Sequence, residues 1–496
     1  MSGSAERFRE TLALHAGLSE GPALRITSRS GSRRVIGWRE LAAASDRAAC
    51  GLARLATDAP LIVSLPSCAE FVIVLIAALG SGRSLLVVPP NQSAAALRRL
   101  AEAAGGLTWL GLPGDPRAAE LESLRFVPID DVLAGAGPTP RAAGAVPTPR
   151  AAGAVLLPTT GTTGRPKLVR RGLRALLAVG EACTRGIPVE RRDRILLAIP
   201  LCHSYGIDQL MSALVSGATL DLHASFEPAG VLRALREDEI TSFPAVPVML
   251  DVLARSIGAL PAPRLRRVIS AGSALRKTTF DRFENVFGLP IGQLYGATEL
   301  GSATYNPPER EGFDPMAVGF ALPGVEIRIL DPADPDPAKP QPAGSEGVVA
   351  VAAPSLLDGY HGDERAVLRA GFFVTGDLGS LDAHGVLRLS GRRDLLLDVG
   401  ARKVDPLEVE AVLCRYPGVR EAAVVPLAAG AVVTRLRAVI VPEPGIELDG
   451  AKLRRFARSC LPHYMVPRAF EMRSELPRSA AGKVLRSELL ATEGIP

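Results

Sequence analysis

The sequence predicts an α/β protein. It should have a large N-terminal domain of layered β-sheets flanked by helices, a β-barrel-like subdomain, and a small α+β C-terminal domain. Three observations carry that reading. Apolar strand-length runs alternate with helix-length segments across residues 41–295. After Leu330 the pattern changes to short β-like segments, and near Arg392 it changes again, leaving roughly one hundred residues of mixed helix and strand. At 496 residues, 47% of them hydrophobic, the chain is too long for one typical domain and long enough to bury a large core.

The elements follow in chain order. Leu41, Ala44, Ala48, Leu52 and Leu55 recur at helical spacing, so a helix is expected over 41–55. A strand over 60–65, a helix over 70–79 and a strand over 84–88 follow, the last ended by Pro89 and Pro90. The rhythm returns with strands at 194–199, 218–222, 240–245, 267–270 and 291–295, with helical segments between them. In between, Pro-Thr-Pro-Arg-Ala-Ala-Gly-Ala-Val occurs twice in tandem over 138–155. It is expected to be a mobile tandem-repeat loop whose second copy leads into a strand over 151–157. A Pro/Asp-rich turn at 331–342 precedes strands at 348–352, 372–375 and 386–389. A helix at 406–415 and strands at 422–426 and 437–441 complete the pattern. The domain boundary is placed between 391 and 392, giving domains 1–391 and 392–496.

Composition excludes several function classes. The net charge of +5 comes from 57 basic and 52 acidic residues spread along the chain, so no stripe marks a nucleic-acid partner. The six cysteines stand far apart, without the close pairs of a zinc or redox site. Glu6, Arg7, Arg9 and Glu10 interrupt the region where a signal peptide needs an apolar run, so a cytoplasmic address is expected. The apolar run 71–80 is too short to cross a membrane, and no membrane partner is expected.

The densest chemistry lies in Thr159-Thr160-Gly161-Thr162-Thr163-Gly164-Arg165-Pro166-Lys167. Glycines let the backbone turn tightly and bring amide donors to phosphate oxygens; the threonine hydroxyls add donors and Lys167 adds charge. Such a loop suits a triphosphate, although it lacks the Gly-x-x-x-x-Gly-Lys-Ser/Thr spacing. Read without context it is also an ordinary polar loop.

In context, the loop resembles the phosphate-binding signature of the adenylate-forming superfamily, which includes acyl- and aryl-CoA synthetases, stand-alone adenylation domains and firefly luciferase. Further segments resemble that family's signatures in its own order: Pro200-Leu201-Cys202-His203-Ser204-Tyr205-Gly206, then Tyr295-Gly296-Ala297-Thr298-Glu299. Gly371-Phe372-Phe373-Val374-Thr375-Gly376-Asp377 and Gly391-Arg392-Arg393-Asp394 follow, and near the end the segment 461–467 and a loop containing Gly482-Lys483. The likeness covers residues 41–489.

The resemblance implies a role for each match. Glu299 is expected to bind Mg²⁺ on the phosphates of ATP, a hard cation suited to carboxylate oxygen, and Thr298 to donate to the α-phosphate. Gly272 and Ser273 are expected along the adenine, with Tyr295 and Gly296 also at the nucleotide. Asp377 is expected to accept from both ribose hydroxyls, with Arg392 beside it. Lys483 is expected to carry adenylation, as a point charge on a flexible stem. Asp394 falls at the family's hinge, about which a mobile small domain is expected to rotate between two half-reactions. Standing alone, Glu299 and Lys483 would read as solvated surface charges and Asp377 as a turn residue. Three positions depart from the family pattern: Pro158 stands where an aromatic is common, Thr160 where serine is common, and Gly400 precedes Ala401 where the family's glycine commonly sits.

The resemblance places the acyl group among His203, Ser204, Tyr205, Val246, Gly272 and Ala297. Ser204 stands near the position where adenylation domains for α-amino acids place an aspartate against the substrate ammonium, so an aryl or other acid without an α-ammonium is expected. His203 reads either as a substrate contact or as a packed histidine shaping the pocket. The expected reaction is ATP- and Mg²⁺-dependent formation of acyl-AMP from a carboxylic acid, then transfer to CoA. The alternatives are transfer to the phosphopantetheine of an acyl carrier protein, transfer to a nitrogen nucleophile in secondary metabolism, or a nucleotide-binding relic without turnover. A monomer or homodimer is expected.

Overall fold

The computed structural model describes residues 2–18, 21–28, 32–55, 57–135, 153–159, 167–256, 264–363, 367–395, 397–399, 402–427, 435–478 and 484–490. They divide into two compact units, Met1–Ile327 with Val351–Phe373, and Arg328–Ala350 with Val374–Pro496.

In the first unit the β/α rhythm builds two sheets. The nine-stranded sheet runs Phe320–Ala321, Gly301–Asn306, Ile291–Ala297, Arg267–Ser270, Ser242–Ala245, Arg194–Leu197, Thr219–His223, Pro22–Thr27, Arg33–Gly37. Its interior pairs are parallel and its outer pairs antiparallel. The seven-stranded sheet runs Gly359–Tyr360, Lys167–Gly172, Ala154–Thr159, Leu85–Val87, Leu61–Val63, Thr108–Gly111, Arg125–Pro128. The strands anticipated between 60 and 295 lie within two residues of their expected ends, except that the one expected at 151–157 is Ala154–Thr159, and the helices expected at 41–55 and 70–79 are Trp38–Ala53 and Ala69–Gly80. Ala69–Gly80 buries every residue from Phe71 to Leu79, so its apolar surface runs all the way round and it fills the core between layers. Among the described residues no helix is long and apolar enough to cross a membrane. The N-terminal segment, read from sequence only for its charges, forms the helix Ser2–Leu18, which buries Phe8 and Leu12. Most of the tandem repeat, through residue 152, lies outside the described residues, and its last residues enter the strand Ala154–Thr159.

In the second unit Glu326–Leu330, Glu346–Ala352, Phe373–Leu381 and Leu387–Arg392 form a four-stranded sheet. Farther on, Val419–Pro426, Leu436–Pro442 and Ala469–Met472 form a three-stranded sheet covered on both faces. Side chains alternate along its strands: Ala422 and Val424 pack with Val409, Leu413 and Leu453, whereas Ala423 and Val425 pack with Leu476 and Leu489.

One charged pair lies deep in the first unit. Arg171 Nη1 stands 2.7 Å from Asp208 Oδ1, with side-chain exposures of 0% and 2%. The same nitrogen donates to Ser204 Oγ at 3.2 Å, and Asp208 Oδ2 accepts from the Ser302 N–H at 2.8 Å and hydroxyl at 3.0 Å. Three elements, Lys167–Gly172, Ser204–Ser216 and Gly301–Asn306, therefore meet at one ion pair. Gly301 permits it: its φ is +71°, and a Cβ there would stand 2.6 Å from Arg171 Nη2. Breaking a buried pair from one side strands a charge, which costs far more than replacing both partners with apolar groups.

A second buried carboxylate, Asp193, ties down Arg266 at 2.5 Å and Arg267 at 2.6 Å. Burial pushes its carboxyl up, but the Glu190 N–H, the Thr241 hydroxyl and Arg267 outweigh this and hold it below the usual carboxylate range.

Two stability outcomes follow. Asp208→Ala is expected to lower the unfolding free energy by about 3–5 kcal/mol in a denaturant titration, whereas Arg171→Met with Asp208→Leu recovers most of that loss; additive losses would show the pair to be uncoupled. Because the folded form depresses the Asp193 pKa, its contribution is complete above the unfolded value of about 4 and is lost as pH falls through the lower folded value. Asp193→Asn is accordingly expected to flatten the acid limb of a stability–pH curve, and an unchanged limb would contradict this.

Candidate active site

The phosphate-loop sequence hangs from a β-hairpin. Ala154–Thr159 pairs antiparallel with Lys167–Gly172, and Thr159 and Lys167 face each other at its open end. The Thr159 hydroxyl donates to the Lys167 carbonyl at 3.4 Å. Thr160, Gly161, Thr162, Thr163 and Gly164 lie outside the described residues, but the ends of their loop are fixed by this pairing.

Glu299 comes to the same region from the other sheet. The strand Ile291–Ala297 carries Tyr295, Gly296 and Ala297, and a turn closed by the Leu300 N–H on the Ala297 carbonyl presents Thr298 and Glu299, both half-buried. Tyr360 bridges the two motifs. Its hydroxyl donates to Glu299 Oε1 at 3.1 Å, and the Lys167 ammonium lies 5.3 Å from its ring centroid. Burial, then the Glu299 charge, push the phenol above its usual pKa, so it keeps its proton and remains a donor. The backbone around it is pinned on both sides. The Leu357 N–H donates to the Glu299 carbonyl, while those of Asp358 and His361 donate to Arg170 and Leu168, each at 2.8 Å. Ser355 Oγ bonds the Leu300 carbonyl at 2.8 Å, and Asp358 pairs with Arg170 at 2.5 Å.

Among the described residues no cluster of three or more His, Cys, Asp or Glu could hold a metal ion. A lone half-buried carboxylate with one oxygen held by a phenol fits Mg²⁺, which keeps waters and binds through one or two carboxylates together with substrate phosphates. It does not fit a metal needing an all-protein cage.

The remaining residues of the first unit gather at the carboxyl ends of parallel strands. Strand order reverses about Arg194–Leu197, with the next strand in sequence on one side and Ser242–Ala245 on the other. Such a switch point opens a crevice beyond the strand ends. His203, Ser204 and Tyr205 follow Arg194–Leu197, Val246 follows Ser242–Ala245, and Gly272 and Ser273 follow Arg267–Ser270. Gly272 has φ +90° and lies against Val246, a Cβ there being 3.4 Å from its methyl. Of the six residues expected at the acyl group, three are consecutive: His203 is the N-cap of Ser204–Ser216, Ser204 accepts from Arg171, and Tyr205 donates to the Ile269 carbonyl at 3.2 Å.

In the second unit Asp377 and Arg392 are cross-strand partners, with Oδ1 and Nη1 3.5 Å apart. The Asp377 N–H donates to Thr375 Oγ1 at 3.0 Å, and that hydroxyl donates to the Val349 carbonyl at 2.8 Å. Gly391, next to Arg392, admits no side chain because the Asp405 carboxylate occupies the place of its Cβ. Asp394 lies in the turn Arg393–Leu395, and its side chain is outside the described residues. So are Gly482 and Lys483, whose loop closes at an antiparallel bridge between Arg478 and Val484. Beyond it Arg486 grips both oxygens of Glu410 at 2.7 and 2.9 Å.

Sequence reasoning passed over Arg171, Asp208 and Tyr360. A signal for the first two existed: Arg171 alternates with exposed-side Arg170 in a strand, and Asp208 stands one helical turn after Ser204 on the same face. Tyr360, far from Glu299 in sequence, had none.

Comparison with known proteins shows the family of the chain. The family model described as "AMP-binding enzyme" matches residues 4–361, and "AMP-binding enzyme C-terminal domain" matches 408–483. Among similar proteins is an indoleacetate–CoA ligase of Aromatoleum aromaticum, 32% identical over 67% of this chain and 65% of its own length. Another is a 2-succinylbenzoate–CoA ligase of Geobacillus kaustophilus, 34% identical over 67% of each chain. The matched region thus spans about two thirds of these curated relatives' lengths. The o-succinylbenzoate CoA synthetase of Bacillus subtilis, solved with its acyl-adenylate, shares the fold at TM-score 0.83 and 24% identity over 97% of this chain and 98% of its own. The amide bond synthetase McbA of Marinactinospora thermotolerans is 25% identical, with TM-score 0.80 over 98% of this chain and 99% of its own. On the family model alone, which covers well over half its length, the chain belongs to the AMP-binding enzymes of the adenylate-forming superfamily.

Proposed function

We propose that this protein activates an aryl or other carboxylic acid lacking an α-ammonium, using ATP, and transfers the acyl group to CoA. The observation that carries the reading is the Tyr360 bridge: the last residue of the phosphate loop and the proposed magnesium carboxylate converge on one side chain. Two anions, substrate carboxylate and α-phosphate, must meet, so the site has to gather positive charge and donors around them. In this reading the loop Thr159 to Lys167 and Thr298 hold the phosphates, and Asp377 with Arg392 hold the ribose. Magnesium on Glu299, when bound, neutralises phosphate charge. A substrate carboxylate oxygen attacks the α-phosphorus, the bond to the pyrophosphate oxygen breaks, and pyrophosphate leaves with that electron pair. Lys483 stabilises the charge that builds at the reacting oxygens. A CoA thiolate then attacks the acyl carbonyl and AMP departs. The residues from 392 onward act as the domain that rotates about Asp394 between these steps.

The acid class is supported by the surroundings of Ser204. An α-ammonium there would meet a hydroxyl, and the Asp208 carboxylate one turn along the helix is already committed to Arg171 and Ser302. The names of the two CoA ligase relatives, both for acids bearing an aromatic ring, point the same way. A second reading, with a nitrogen nucleophile as acceptor, is favoured by the likeness to the amide bond synthetase.

Acid-dependent exchange of labelled pyrophosphate into ATP is expected for one member of an aryl-acid panel, and no exchange with any acid would favour a relic that binds nucleotide without turnover. Lys483→Ala is expected to slow exchange by roughly a hundredfold or more while leaving thioester formation from supplied acyl-AMP largely intact; equal loss of both steps would contradict the rotating-domain mechanism. Mass analysis of reactions offered CoA or amines separates the two acceptors.

A further inference from the structure

We propose that Tyr360 is a positioning residue for the magnesium–nucleotide site, its hydroxyl fixing the Glu299 carboxylate and its ring seating the Lys167 ammonium. The proposal rests on the reading of Glu299 as the magnesium ligand. Glutamate has three side-chain torsions and loses rotamer freedom on binding a metal unless something holds it beforehand. Here the phenol holds one of the two carboxylate oxygens at 3.1 Å, so the other can be presented to an incoming cation. The phenol itself is well anchored. Gly359–Tyr360 is an edge strand paired with Val169 and Arg170, and neighbouring backbone amides bond to Glu299, Arg170 and Leu168. Its ring meanwhile lies 5.3 Å from the Lys167 ammonium, so one side chain meets the cation at its ring and the carboxylate at its hydroxyl. The arrangement fixes the spacing between cation and carboxylate before ligand arrives, and outer-sphere partners of this kind commonly change metal affinity by 10–100-fold.

The proposal is tested on the full-length protein by measuring ATP binding calorimetrically, without acid, across a Mg²⁺ titration. Tyr360→Phe keeps the ring and removes only the hydroxyl. It is expected to raise the Mg²⁺ concentration for half-maximal enhancement of ATP binding by roughly tenfold, with metal-free ATP affinity unchanged. Tyr360→Leu, which also removes the ring, is expected to show the same magnesium shift together with weaker metal-free ATP binding. A Tyr360→Phe variant with the original magnesium dependence would overturn the proposal. So would one whose metal-free and metal-dependent binding weaken alike, because that signals a packing defect. Glu299→Gln measured in parallel distinguishes the two failures: if it too retains magnesium dependence, the reading of Glu299 as ligand falls, and if it loses that dependence while Tyr360→Phe does not, only the role of Tyr360 falls.

Discussion

The site depends on a set of hydrogen bonds that prevent two distant pieces of chain from moving independently. The strand that leaves the phosphate loop and the turn that carries Glu299 belong to different sheets. They are joined twice: inside, where Arg171 pairs with Asp208 and Asp208 bonds Ser302, and at the surface, where the segment containing Tyr360 bonds to both. A Coulombic site works only if its charges are in place before the substrate arrives, since reorganising them during the reaction consumes the stabilisation they offer. Joining the strand and the turn at two depths secures that placement.

The buried pair also reaches the side proposed for the acyl group. Arg171 donates to Ser204 at the start of the helix Ser204–Ser216, so the residues beyond the switch point share an anchor with the phosphate hairpin. The three elements meet in relay: one guanidinium nitrogen of Arg171 bonds Ser204 and Asp208 on the helix, and the other oxygen of Asp208 bonds Ser302. In the second unit the proposed ribose motif follows a similar logic on a smaller scale, with Thr375 holding the backbone of Asp377 and Arg392 facing it across the ladder.

Much of the fold was legible because the signals are local. Strands such as Arg267–Ser270 announce themselves as short apolar runs, and Ala69–Gly80 as an uninterrupted apolar stretch of helical length. The edge strands Arg33–Gly37 and Arg125–Pro128 escaped notice because each is short and carries exposed polar positions that break the apolar run. Helix Ser2–Leu18 was obscured because attention to its charges hid the spacing of Phe8 and Leu12. The motif residues Glu299, Asp377 and the phosphate-loop sequence stood out in sequence since glycine, threonine and charge are concentrated there. Their supports did not: Tyr360 reaches Glu299 across 61 positions, and no periodicity encodes that meeting.

The account stands or falls on where bonds break in ATP, and the most direct measurement follows the acid's own oxygen. With carboxylate labelled in both positions by ¹⁸O and an acceptor supplied, one labelled oxygen is expected in AMP and none in the released pyrophosphate. Label appearing in inorganic phosphate, with ADP as the other product, would place the attack at the γ-phosphorus and contradict the assignment.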